Sequence, residues 1–294
     1  MKKQMLFIIN PVSGTRKFLK KRLPRIIKRI IDTERFEYQI RYTQYKGHAV
    51  VLAKTAIKES IEIIVMAGGD GSINEVANVI KSSNVILGII PVGSGNGLAR
   101  HLGYTMNAQR TIKAINKLKI GKIDICSYDK RIFCSNAGLG FDALVIRLFD
   151  TSRNRGFFGY AFSVLKGLIM FPGIQYEIKV NNQVLKGKAF LISACNSNQV
   201  GYNVKLAPYA SLQDGLMDLW ILDKFPRWKA PFLFLRVLRK THFKSPYFKN
   251  YISKQIEIKT TEKQYFQVDG EARNPVDYLN ICVIPKALEV IIPS

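Results

Sequence analysis

The residues of this chain best suited to chemistry sit in one glycine-rich stretch, Gly68, Gly69, Asp70, Gly71 and Ser72. Ile63–Met66 before it is apolar and β-branched, which reads as a buried strand. After it, Ile73, Val76, Ala77 and Ile80 fall at helical spacing. Strand, glycine loop and helix in that order aim main-chain N–H groups and a helix N-terminus at phosphate. Asp70 places a negative charge where the phosphate would sit, and it repels phosphate unless a metal ion or a substrate hydroxyl stands between them. These types at this spacing point to phosphoryl transfer. A plain helix-capping aspartate is the competing reading of the loop taken alone.

The elements around it repeat the pattern. A strand over residues 5–9 ends in Asn10, Pro11, Val12, Ser13 and Gly14, and a strand Val85–Pro91 ends in Gly93, Ser94, Gly95, Asn96 and Gly97. Between and beyond them the spacing predicts helices over Phe18–Ile31, Gly47 to Lys58, Glu75–Ile80 and from near Leu98. It also predicts a strand Phe36–Tyr42 that stops at Thr43. Strand–loop–helix in series implies a parallel sheet with right-handed crossovers, and ligands bind at the carboxyl ends of such strands. All three glycine loops belong to that edge. After Asp124 the texture changes to short strands, Arg131–Asn136, Gln175–Val180, Ala189–Asn196, Leu216–Leu222, Gln255–Thr260 and Tyr265–Asp269. Helical stretches near 156–171 and 227–241 interrupt them, which predicts a mostly antiparallel second domain.

Composition narrows the function classes. The 294 residues suit two domains. With 45 basic and 21 acidic residues the net charge is +24, a field that attracts phosphorylated ligands, anionic membrane surfaces or nucleic acid. No helix-turn-helix, zinc-finger or RNA-recognition signature is present, so a specific nucleic acid partner is not expected. Cys126, Cys134, Cys195 and Cys282 lack CxxC spacing, which fits buried, reduced thiols in a cytoplasmic protein. MLFIIN reads as a first strand rather than a signal peptide. The longest apolar run, Phe157–Ile174, is broken by Lys166 and Pro172 and falls short of the ~20 residues needed to span a bilayer. His48 packs against or caps its helix, while His101 and His242 are read as surface residues. In 227–241, Trp228, Phe232, Phe234, Leu235, Val237 and Leu238 are interleaved with Arg227, Lys229, Arg236, Arg239 and Lys240. That stretch either lies on an anionic membrane or packs on the second domain.

Taken together, NPVSG, GGDGSINEV, PVGSGNGLA, APYASLQDGLMDL and VDGE resemble the diacylglycerol kinase catalytic family, which includes bacterial lipid kinases and the sphingosine and ceramide kinases. The motifs run from residue 10 to residue 271. GGDG alone is shared with NAD kinases and phosphofructokinases; GSGN and the distant DGE are what separate this chain from an NAD kinase. The resemblance implies α/β plus all-β architecture: a phosphofructokinase/NAD-kinase-like ATP-binding domain over 1–124, rejoined by 277–294, and a β-sandwich lipid domain over 125–276. It implies ATP and Mg²⁺ as cofactors and transfer of the γ-phosphate to a lipid hydroxyl of a diacylglycerol, a sphingoid base or a related lipid.

Carried over by position, the nucleotide loop falls on Asn10, Pro11, Val12, Ser13 and Gly14, with Thr43, Ala67, Gly68, Gly69, Gly71, Ser72, Ile73, Ser94, Gly95 and Asn96 completing it. Asp70 and Glu271 match the two acidic positions tied to catalysis, and either can be assigned as the base. By residue type alone, Glu271 is a turn residue after Asp269-Gly270. Asp124 matches a carboxylate linked to metal organisation. Asp214, with main-chain oxygens of Ser211 and Leu216, matches a structural magnesium site. Gly97 stands where many bacterial members carry Asp, and Val200-Gly201-Tyr202 replaces a glycine-richer stretch; both bear on the choice of lipid. Gly156–Ile169, another aromatic-rich stretch, either lines an acyl pocket or packs on the sandwich. A peripheral, membrane-associating enzyme follows from this reading, and a homodimer is compatible with it.

Overall fold

A computed structural model describes residues 2–293 except 15–16, 94, 153–156 and 200–203, with 17–20 and 157–158 by their backbone alone. Two units divide the chain. One is built from Met1–Ile125 with Pro285–Ser294, the other from Cys126–Val200 with Val204–Ile284. Residues 277–284, assigned by the resemblance to the returning segment, pair instead with the second unit's own strand, so the return begins at Pro285.

The first unit runs β1 (Lys3–Ile9), α1 (Lys17–Ile30), β2 (Phe36–Tyr42), α2 (His48–Lys58), β3 (Ile63–Gly68), α3 (Asp70–Ile80), β4 (Ile86–Pro91), α4 (Gly97–His101), α5 (Ala108–Lys117) and the start of β5 (Ile120–Tyr128). Its strands are parallel in the order β2-β1-β3-β4, and Val290, near the end of the last strand, pairs in parallel with Leu87 of β4. Every residue of β3 and β4 is buried, as a sheet covered on both faces requires. Leu23 and Ile27 of α1 and Ile112 and Ile115 of α5 pack on Met5, Phe7, Ile63 and Val65. Right-handed crossovers put α2 and α3, which pack on each other, over the opposite face. Strand order reverses between β1 and β3, the switch point at which such sheets hold ligands. Helix α5 was not foreseen, although Asn107 caps it by accepting from the N–H groups of Gln109 and Arg110.

The second unit contains β6 (Arg131–Phe133), β7 (Asn136–Gly140), α6 (Phe141–Thr151), α7 (Phe157–Met170), β8 (Ile174–Val180), β9 (Gln183–Cys195), β10 (Met217–Asp223), α8 (Ala230–Leu238), β11 (Phe248–Ser253), β12 (Gln255–Val268) and most of β13 (Glu271–Ile291). Its pairings are antiparallel. The two long strands change partners along their length: β9 meets β8 through 183–189 and β7 through 191–195, while β12 meets β8 through 256–260 and β7 through 266–268. That exchange folds the sheet into a sandwich around Trp220, Ile192, Phe266 and Val268. Residues 255–268, expected with Asp269 as two strands, form one strand whose register slips between Lys259 and Phe266. The polar Thr261–Gln264 run makes a bulge there rather than a turn.

His242, expected at the surface, is fully buried. Its ring lies 4.6 Å from that of Trp220 and its Nε2 is 2.8 Å from the Leu206 carbonyl oxygen. Cys126, Cys134 and Cys195 are buried and Cys282 partly so, all unbridged. Among the described residues, no helix is long and apolar enough to cross a membrane.

Candidate active site

Backbone hydrogen bonds knit the three glycine loops together at the carboxyl edge of the parallel sheet. Asn10 N–H donates to the Ala67 carbonyl (2.9 Å), Val92 and Gly93 N–H both donate to Gly68 (3.2 Å each), and Thr43 N–H donates to Ile9 (3.0 Å). The glycines are demanded by this packing. A Cβ on Gly93 would collide with the Cα of Gly69, and one on Gly14, whose φ is +61°, would lie 2.6 Å from the Val92 carbonyl oxygen. Main chain thus meets main chain between all three loops, which only residues without a Cβ permit.

Side chains finish the cradle. Asn10 Oδ1 accepts from the N–H groups of Val12 (3.0 Å) and Ser13 (3.1 Å), and its Nδ2 donates to Ser72 Oγ (2.9 Å). Asn96, fully buried with φ +55°, closes the third loop by bonding both the N–H and the carbonyl of Gly93. Arg100 Nε donates to the Gly95 carbonyl. The N–H groups of Ser13 and Gly93 are therefore already engaged. At the start of α3, Ile73 N–H donates to the Gly69 carbonyl at 3.0 Å, and the helix dipole places partial positive charge at this end. Thr43 is buried, whereas Pro11 and Val12 are exposed. Ser94 lies outside the described residues.

Helix α3 begins earlier than its apolar periodicity indicated. Gly69 is its N-cap and Asp70 to Ile73 form its first turn. Asp70 is thus a first-turn carboxylate, a position where the helix dipole favours negative charge. Glu75 accepts from Gly47 N–H (3.2 Å), so part of the NEV motif ties α3 to the start of α2. Asp124 on β5 is fully buried, and its Oδ1 accepts from Lys286 N–H at 2.7 Å. Asp214 lies in an exposed turn and accepts from Leu216 N–H at 3.0 Å, while Ser211 Oγ accepts from Gln213 N–H. Among the described residues, no group of three or more His, Cys, Asp or Glu side chains is placed to hold a metal ion.

In the second unit, Glu271 opens β13 directly after a two-residue turn. Val268 pairs with Glu271, and Asp269 and Gly270 both have positive φ (48° and 79°), the geometry of a tight hairpin. Asp269 is the anchor that sequence reasoning missed. Its carboxylate accepts three backbone N–H groups, from Cys134 (3.0 Å), Ser135 (2.8 Å) and Asn136 (3.1 Å). The turn is locked to the β6–β7 connection, and the place of Glu271 follows from it. Arg273 Nη2 lies 3.2 Å from Glu271 Oε2.

Asp142 was also missed. It sits in the first turn of α6, after Gly140, as Asp70 does after Gly69 in α3. Gln267 bridges it to the hairpin, donating from Nε2 to Asp142 Oδ2 (2.9 Å) and accepting from Gly270 N–H (3.1 Å). Burial pushes the Asp142 carboxyl up to about 7, against the pull of the Gln267 hydrogen bond. The segment GLGFDA repeats the grammar of GGDGSI, a strand, a glycine and an acid in the following first turn, and that repetition was the available signal. Val200-Gly201-Tyr202 and Gly156 lie outside the described residues.

Residues 4–128 match the diacylglycerol kinase catalytic domain, and residues 135–292 match the YegS C-terminal NAD kinase beta sandwich-like domain. A diacylglycerol kinase of Bacillus subtilis (strain 168) is 30% identical over 290 residues, 95% of this chain and 94% of that protein. One from Staphylococcus carnosus (strain TM300) is 29% identical over 288 residues, 96% and 93% of the two chains. The crystal structure of a diacylglycerol kinase from Bacillus anthracis str. Sterne, 18% identical, superposes with a TM-score of 0.74 over 99% of this chain and 97% of that one. Another structure from that strain gives 0.80 at 20% identity over 99% and 95%.

Proposed function

The chain belongs to the diacylglycerol kinase family and is an ATP-dependent lipid kinase, a phosphotransferase with an alcohol acceptor; from that premise we propose that the acceptor is the free hydroxyl of a diacylglycerol. The observation that supports this acceptor is the alignment of proteins named diacylglycerol kinase along 95% or more of the chain, through both units.

The loop cluster of the first unit takes the ATP phosphates, with the N-terminus of α3 turning a favourable dipole toward them. Asp70 stands beside them and fits a divalent cation that arrives on the nucleotide. Mg²⁺ keeps water and phosphate oxygens as most of its ligands and needs one or two protein carboxylates, which agrees with the absence of a larger carboxylate cluster among the described residues. When bound, Mg²⁺ neutralises charge on the phosphates. Asp124 acts instead as a clamp between β5 and the returning strand, since its Oδ1 is spent on Lys286 N–H. Glu271 serves as the base. Its carboxylate, oriented by Arg273, takes the proton of the lipid hydroxyl as that oxygen bonds to the γ-phosphorus and the bond from phosphorus to the ADP oxygen breaks. The product is a phosphomonoester of the lipid and ADP. The enzyme works as a cytoplasmic, peripherally membrane-associated protein, a reading supported by its net charge of +24.

The test is incubation with labelled ATP, Mg²⁺ and a panel of diacylglycerol, sphingoid base, ceramide, phosphatidylglycerol and NAD. Label is expected in diacylglycerol. Preferential labelling of any other acceptor overturns the assignment. Asp70→Asn and Glu271→Gln are each expected to lose kcat far more than substrate affinity; full turnover in either removes that residue from the reaction.

A further inference from the structure

Helix α8 and the turn ahead of it expose the face that a globular helix normally hides. Leu233 and Val237, one helical turn apart, are the α8 residues buried against the unit. Phe232, Phe234, Leu235 and Leu238 are between 42% and 63% exposed. Laid out at helical spacing, these four sweep most of the circumference left over, and Arg236 flanks them beside Phe232. Trp228, 69% exposed, stands in the preceding turn with the Lys229 ammonium 5.2 Å from its ring centroid. Contiguous apolar surface of this kind marks an interaction site.

The surrounding charge says what kind. From Lys224 to Gln255 the chain carries nine lysines and arginines and no aspartate or glutamate. Among the described residues, Lys249 alone of these nine is ion-paired, to Asp223. A second copy docking through the same face would bring these like charges together across a two-fold axis, at a Coulombic cost with no acid to offset it. An anionic surface removes that cost.

We propose that α8 and the Trp228 turn form a docking element for an anionic bilayer. The apolar side chains enter the boundary between headgroups and acyl chains, Trp228 sits at headgroup level, and the neighbouring cations meet lipid phosphates. This gives the peripheral-enzyme reading above a named surface and rests on that reading for its purpose.

The experiment uses the full chain in co-sedimentation with phosphatidylcholine vesicles, with and without phosphatidylglycerol. Binding is expected only to the anionic vesicles, weakening as salt is raised. Arg236→Ala and Arg239→Ala should each weaken partitioning about fivefold. Phe232→Ser with Phe234→Ser should weaken it by more than about tenfold. All are expected to keep wild-type turnover of a water-soluble, short-chain diacylglycerol. Equal binding to neutral vesicles, undiminished binding by the double variant, or a dimer that the double variant dissolves would overturn the proposal. Vesicle binding with no turnover of any lipid would sink the substrate assignment and leave the docking element standing. Turnover without vesicle binding would do the reverse.

Discussion

Replacing Asp269 with Asn changes one atom of a carboxylate that holds three backbone N–H groups. In the native hairpin, Oδ1 accepts from Ser135 and Asn136, and Oδ2 accepts from Cys134. Asn can offer its carbonyl oxygen to the first two, as a neutral and weaker acceptor, but then turns an NH₂ toward Cys134 N–H, donor against donor. A buried hydrogen bond to a charged group is worth ~1.5–3 kcal/mol and a neutral one ~1, so one bond lost and two weakened come to about 3–5 kcal/mol. Asp269 is only 5% exposed, so water cannot repair the loss. Both tryptophans of the chain, Trp220 and Trp228, lie in the second unit, and their fluorescence in a urea titration follows that unit. With a slope of about 2 kcal/mol per molar urea, the midpoint should fall by roughly 2 M. Turnover should fall as well at urea concentrations where the unit is still folded, because the turn that positions Glu271 is loosened. A midpoint within a few tenths of a molar of wild type would refute the claim that Asp269 anchors the hairpin.

Gly93→Ala pushes the second and third loops apart, and a displacement of ~1 Å in a positioning loop costs about 100-fold in kcat/KM. Gly47→Ala, strained by its φ of +86° but with open space around it, should cost only about 1–2 kcal/mol of stability and keep turnover; equal activity in the two variants would show that the loop contacts do not matter. Asp124→Asn retains an oxygen for Lys286 N–H, so the Mg²⁺ concentration giving half-maximal activity should not move. A large rise would return Asp124 to the metal site. Asp142 is lifted from 3.8 to about 7, so the unfolded chain gives up this proton first as pH rises. That group's contribution to stability is then lost between about pH 4 and 7 and is flat above, up to about 4 kcal/mol in all. Asp142→Asn should remove the slope from a plot of Tm against pH in that window and raise Tm at neutral pH. An unchanged slope would show that Asp142 is not the titrating group.

The first unit was legible because its strands are buried on both faces and its helices carry one apolar stripe, so periodicity and glycine punctuation agree. Strand β2 and helix α2 fall within one residue of where spacing puts them. The start of α3 was misread because Asp70, Gly71 and Ser72 look like loop residues, yet a first turn needs no apolar stripe and accepts acid readily. In the second unit, strands that change partners and bend at a bulge blur the period-two signal, so β12 looked like two strands. Two helices went unseen for other reasons. The α6 pattern starts in the middle of an apolar run, and α5 is short and polar at its start. At the candidate site, motifs pointed to Asp70 and Glu271 by type and spacing. The residues that hold the turn before Glu271, Asp269 and Gln267, act through contacts 133 to 135 and 125 positions away, which no local pattern encodes.

The return of the chain through Pro285–Ile291 sets an order of assembly. Tyr104 donates its hydroxyl to the Ile291 carbonyl at 2.6 Å, Ile292 N–H reaches the Lys119 carbonyl, and Val290 lies beside Leu87 at the edge of β4. On the ribosome, β4 is made some two hundred residues before the strand that covers it. During that interval an apolar sheet edge waits uncovered, and the buried Tyr104 hydroxyl lacks the acceptor that Ile291 later supplies. The first unit, begun before the second, is therefore the last to be finished, and a chain stopped at Ile284 should behave as an aggregation-prone intermediate even though every glycine loop is present.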